Sequence, residues 1–135
     1  MPLTSYLRAT LTGFIISMSI SCSTDKAYNA SNCSTVWNGK FSNFRNGEVD
    51  TEISRSGDRQ IEHFKDGSIT EYKVDWLDSC RYRLTPVTID KNATTIDRAP
   101  VIVQITAVKE TSYTVEGWIE GSMNKYSSEL FKKGD

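Results

Sequence analysis

Tight-turn pairs set between stretches of period-two alternation constrain this chain more than any other feature it carries. Asn46-Gly47 and Asp66-Gly67 are of the type that short hairpins need, because such turns place residues at positive φ. The segments they separate alternate with the period of a strand and not of a helix. The alternation is fullest from Ile69 to Leu84, ITEYKVDWLDSCRYRL. There Thr70, Tyr72, Val74 and Trp76 share one face, and Glu71, Lys73 and Asp75 share the other. Cys80, Tyr82 and Leu84 resume the pattern against Arg81 and Arg83. Two amphipathic strands joined at Leu77-Asp78-Ser79 are predicted, with an aromatic core face and a charged face toward water.

The same reading extends along the chain. A strand is expected from Thr35 to Phe44, where Trp37, Gly39 and Phe41 share a face and the glycine permits a close approach in a curved sheet. Further strands are expected at Val49–Arg55 and Arg59–Phe64, parted by Gly57-Asp58. After Pro86 the pattern lapses. Val87 to Pro100 is the longest irregular stretch, a polar loop of the length that carries binding in some small barrels. Strand signals return at Val101–Val108, apolar on both faces and so expected to be central, then at Tyr113–Ile119 and Tyr126–Phe131. The fold class is therefore all-β: a single small antiparallel meander of about eight strands, with no segment of clear helical period. Closing it as a lipocalin-like barrel, or curling it strongly, removes the exposed edges that a small β protein must manage.

The first 21 residues have the form of an export signal. One basic residue, Arg8, precedes the apolar stretch Ala9–Ile20, whose 12 residues fall well short of the roughly 20 that span a bilayer. Ser19-Ile20-Ser21-Cys22 resembles a bacterial lipobox, with Ser19 where Leu is usual. The resemblance implies cleavage before Cys22 and acylation of that cysteine, with several chains giving stable anchoring where one would be marginal. A soluble secreted protein cleaved nearby is the competing reading. Residues 22–32 follow as a Ser-, Asn- and Asp-rich tether, and residues 33–135 form the one folded domain.

The chain has three cysteines. With Cys22 acylated, Cys33 and Cys80 remain as an even pair in an oxidising setting, expected to form a structural disulfide worth about 4 kcal/mol on the chain-entropy model. No CxxC spacing suggests redox chemistry. Two cysteines and one histidine, His63, do not make a tetrahedral metal set, and no cofactor motif is present. Removing Arg8 with the signal leaves 15 basic against 17 acidic residues, a net charge of −2, with no basic stripe for nucleic acid.

Cys33 followed by Gly39-Lys40-Phe41, and Trp76, Cys80, Tyr82 and Leu84 spaced as Trp-x-x-x-Cys-x-Tyr-x-Leu, resemble small envelope lipoproteins of bacteroidete-type bacteria. The resemblance covers most of the mature chain and implies an uncharacterised, lipid-anchored protein of the cell envelope, expected in the outer membrane. Relatives of this kind are sometimes labelled DNA topoisomerase IV. A 135-residue exported chain with neither a Gly-rich nucleotide loop nor a basic DNA channel does not fit that label.

An enzyme is not expected. His63 has no nucleophile at motif spacing, Asp75 lies on the polar face, and Asp78 falls in the turn, so solvated roles account for both carboxylates. Tyr72, Trp76 and Tyr82 are the candidates for lining a ligand cavity, and filling the core is the competing demand on them. Two function classes result. One is a membrane-anchored barrel binding a small apolar ligand or an envelope component. The other is a structural or protein-interaction module with a filled core. A cavity of several hundred Å³ favours the first.

Overall fold

The computed structural model describes residues 30–87 and 98–134. Eight strands form one closed antiparallel barrel in sequence order: β1 (Gly39–Arg45), β2 (Glu48–Ser56), β3 (Arg59–Phe64), β4 (Ile69–Asp78), β5 (Arg81–Pro86), β6 (Val101–Val108), β7 (Ser112–Ile119) and β8 (Tyr126–Lys132). The all-β meander expected from the alternation is what the chain forms. β1 and β8 close the barrel through Phe41 opposite Lys132, Ser42 opposite Phe131 and Asn43 opposite Leu130. Irregularities at Asn43/Phe44, Trp76/Asp78 and Ile105/Ala107 bend three strands, as curling a sheet on itself requires.

The turns follow the local chemistry. Asn46 and Gly47, at φ 53° and 79°, lie between the paired Arg45 and Glu48, the two-residue loop whose twist matches that of its strands. Asp66 accepts from the Ser68 amide and hydroxyl at 2.8 and 2.6 Å in the β3–β4 turn, which holds its carboxyl below the usual range.

Three sequence expectations shift. The first strand begins at Gly39, not Thr35, because Ala30–Val36 winds into a 3-10 helix and Trp37 is not in the sheet. Gly39 still allows a close approach. Its φ is 138°, and a β-carbon there would sit 3.1 Å from the Phe41 ring. The turn after β4 is Ser79-Cys80, so Cys80 leaves the strand pattern. A closed barrel has no central strand. The two apolar faces of β6 come from Val103 and Ile105 inside and a buried outer residue, Ile102, between Arg83 and Trp118 in the register. Residues 1–29 and 88–97, including Cys22 and most of the expected binding loop, lie outside the described residues.

Alternation sorts the side chains as period two demands. Thr51, Ile53 and Arg55 of β2 are buried while Glu52, Ser54 and Ser56 are exposed. The charged outer face of β4 is paired, with Arg59 of β3 forked onto Glu71 at 2.6 and 3.1 Å and Lys73 3.2 Å from Asp75 along the same strand. Such exposed pairs contribute about 0–1 kcal/mol each. The inward faces separate the barrel into two halves. At the end where β2 meets β3 and β4 meets β5, Phe41, Ile105, Tyr82 and Tyr113 fill the interior, and the 3-10 helix closes it with Val36 and Cys33, both 0% exposed. Cys33 is disulfide-bonded to Cys80. The bridge pins the closing helix onto the β4–β5 turn, and Trp37 Nε1 donates to the Ser79 carbonyl at 2.9 Å beside it.

Candidate functional site

The other half of the barrel is hollow. A cavity of about 360 Å³ opens toward the end where β1 meets β2 and β3 meets β4, and all eight strands line it. Its volume lies within the range of small-molecule sites. At about 30 Å³ of liquid per water it has room for roughly a dozen waters.

The wall is divided. β1, β2 and β3 contribute Asn43, Arg45, Asp50, Thr51, Gln60 and Glu62, an arc of hydrogen-bonding groups broken only by Ile53 and Phe64. β5 to β8 contribute Leu84, Val101, Val103, Val115 and Leu130, an apolar arc joined by the Ser128 hydroxyl and, at the floor, by Tyr82. A second recess of about 260 Å³ shares Val101, Val103, Val115 and Ser128 with the cavity and continues to Trp118, Ile119 and Tyr126 at the mouth. The apolar side is thus extended outward.

The floor is built on Arg55, 2% exposed. Its Nε donates to Gln60 Oε1 at 2.7 Å, its Nη1 to the Val36 carbonyl at 2.9 Å, and its Nη2 to the hydroxyl oxygens of Tyr82 and Tyr113 at 2.8 and 3.1 Å. The guanidinium also lies 4.5 Å from the Tyr82 ring centre and 5.5 Å from that of Phe41. Burial opposes its charge, but the two tyrosine oxygens and the Glu62 carboxylate favour it and raise its pKa further. Burial also pushes both tyrosine hydroxyls up, so they remain neutral.

Arg55 reaches a carboxylate only through an amide. Gln60 accepts from Arg55 with its oxygen and donates from Nε2 to Glu62 Oε1 at 2.7 Å. The chain Arg55–Gln60–Glu62 therefore runs from the floor into the cavity wall. Burial raises the Glu62 pKa, and the Gln60 hydrogen bond and the Arg55 charge offset this only in part. Tyr72, across the register from Gln60, is pushed up to about 12 by burial and by Glu62.

Tyr72 and Tyr82 line the cavity, as the alternation suggests. Trp76 lies beneath it instead, stacked between Trp37 and Tyr82 at centroid distances of 5.1 and 4.7 Å. Period two places all three on one face but does not give their height along the barrel. His63 is on the outer face of β3, and Asp78 accepts from the Cys80 amide at 2.9 Å, a turn-forming role. No cluster of three or more His, Cys, Asp or Glu that could hold a metal occurs among the described residues. The residues that sequence reasoning missed are Arg55, Gln60 and Glu62. A usable signal existed, because the face of β2 that carries Thr51 and Ile53 continues to Arg55, and the register opposite it puts Gln60 and Glu62 inside. No family model, no curated protein and no solved structure matches this chain.

Proposed function

We propose that this protein is a non-catalytic binding barrel of the bacterial cell envelope, anchored to the membrane through an acylated Cys22, that holds a small ligand in its hollow half. The observation that carries the reading is the split wall of the 360 Å³ cavity, polar along β1–β3 and apolar along β5–β8. A packed core has no use for six polar side chains around a void, since desolvating them is costly even where they pair with one another. The ligand is accordingly an amphiphile and not a purely apolar molecule. Anchoring rests on the signal-like residues 1–21, the lipobox-like Ser19–Cys22 and the likeness to bacteroidete-type envelope lipoproteins.

One observation favours docking of an envelope protein as a second reading. Met123, 96% exposed, and Tyr126 and Ile69 give the mouth apolar groups that face water. The ligand reading explains more, because it also accounts for the void behind them. Native mass spectrometry of the full chain, purified in mild detergent, tests it. A bound non-covalent mass is expected, together with its loss on Val103→Trp, which fills the cavity. A passenger that survives this substitution, or a bare chain from every preparation, contradicts the reading. For the anchor, Cys22→Ala should move the protein out of the membrane fraction or leave it unprocessed.

A further inference from the structure

The cavity wall carries three charged side chains, Arg45, Asp50 and Glu62, and their positions differ. Arg45 has a side chain 75% exposed and lies 3.7 Å from Asp50, so these two face each other at the mouth. Asp50 also accepts from the Thr51 hydroxyl at 3.4 Å. Glu62 lies deeper, opposite Ile53 and Thr70 in the register. Arg55, the cation that acts on it among the described residues, is shut beneath the floor with its hydrogen bonds given to Gln60, Val36, Tyr82 and Tyr113. An anionic ligand head therefore finds no donor of Arg55 to bind, and meets a carboxylate instead.

Glu62 uses one oxygen. Oε1 accepts from Gln60 at 2.7 Å, which leaves Oε2 to the cavity, and no side-chain N or O among the described residues is both buried and without a partner. Among the described residues Oε2 is thus an acceptor left open to the contents of the cavity. Opposite stands the apolar arc of Leu84, Val101, Val103, Val115 and Leu130. Hydrogen-bond donation to a carboxylate in a site of low dielectric is strong when the donor is itself charged.

We propose, building on the reading of the cavity as a ligand site, that its ligand is a small amphiphilic amine, with the protonated amine on Glu62 Oε2 and the hydrocarbon along β5–β8. The raised pKa of Glu62 agrees with this, since burial raises it and the Gln60 hydrogen bond and Arg55 offset that only in part, a deficit an ammonium in the cavity would reduce. Arg55, through Gln60, then acts as a positioning residue that orients the carboxylate.

The test is calorimetric titration of the full chain at neutral pH with three probes of one tail length: octylammonium, octanol and octanoate. Octylammonium should bind about tenfold or more tighter than octanol, and octanoate weaker than both. Glu62→Gln, which keeps the shape and the Gln60 contact, should bring octylammonium to within about twofold of octanol. If octanol binds and octylammonium binds no tighter, or if its advantage survives Glu62→Gln, the amine assignment falls and the cavity reading stands. If none of the three binds, both fall.

Discussion

Arg55 should be the most costly single side chain to remove from this fold. Substituting Met keeps much of the volume and the contacts to Phe41 and Tyr82 but deletes four hydrogen bonds. The Tyr82 and Tyr113 hydroxyls, which share Arg55 Nη2 as donor, can rotate to other partners. The Val36 carbonyl and Gln60 Oε1 cannot, and each stranded acceptor costs about 1–3 kcal/mol. Glu62 also loses the cation that, among the described residues, offsets its burial. Against this stands the relief of no longer desolvating a guanidinium, so the net loss should fall at about 3–5 kcal/mol, as for other buried charge networks broken on one side. For a domain of this size that is a fall in Tm of roughly 15–30 °C. Arg55→Lys should recover little, because an ammonium cannot fork across four acceptors. Urea denaturation followed by tryptophan fluorescence, with the m-value unchanged, measures it. A loss below about 1 kcal/mol, within reach of ordinary surface substitutions, would refute the claim that the floor is organised on this residue.

Replacing Cys33 and Cys80 together by Ala should lower stability by about 4 kcal/mol on the chain-entropy model, given their separation of 47 residues. Chemical denaturation of the variant beside the parent checks this. The pH dependence of Glu62 has a definite sign. Its folded pKa lies above the ordinary value of 4.5, so the folded state binds the proton more tightly than the unfolded chain does. Its burial thus costs stability above the folded pKa, and the cost disappears as pH falls through that pKa to the ordinary value. Glu62→Gln should accordingly be more stable than the parent at neutral pH and lose that advantage in acid, as paired urea titrations across the range will report.

The strands were legible because their alternation and their turns agree. Asn46-Gly47 supplies both positive-φ residues in the place where β1 must reverse, and the face of β4 bearing Tyr72, Val74 and Trp76 points inward as its period requires. The disulfide was legible from the even pair left once Cys22 is set aside. The site was not. Alternation assigns polar residues to water, and Gln60-Ile61-Glu62 invites the wrong face, since Ile61 is the residue that points outward. Only the register with Ile53 and Arg55 reverses that assignment. The 3-10 helix escaped notice for a related reason, because Trp37 and Phe41 stand at strand spacing although Trp37 closes the barrel end from outside the sheet.

Methyl resonances of the isotopically labelled full chain, recorded through a titration with octanol, test most directly whether the hollow half of the barrel is a binding site. The account predicts that Leu84, Val101, Val103, Val115 and Leu130, which line the cavity, shift together and saturate with one dissociation constant. Ile61 on the outer face and Ile69 at the exposed rim should stay in place. Shifts confined to Ile69, Val87 and the other exposed apolar groups, with the interior methyls unmoved, would contradict it.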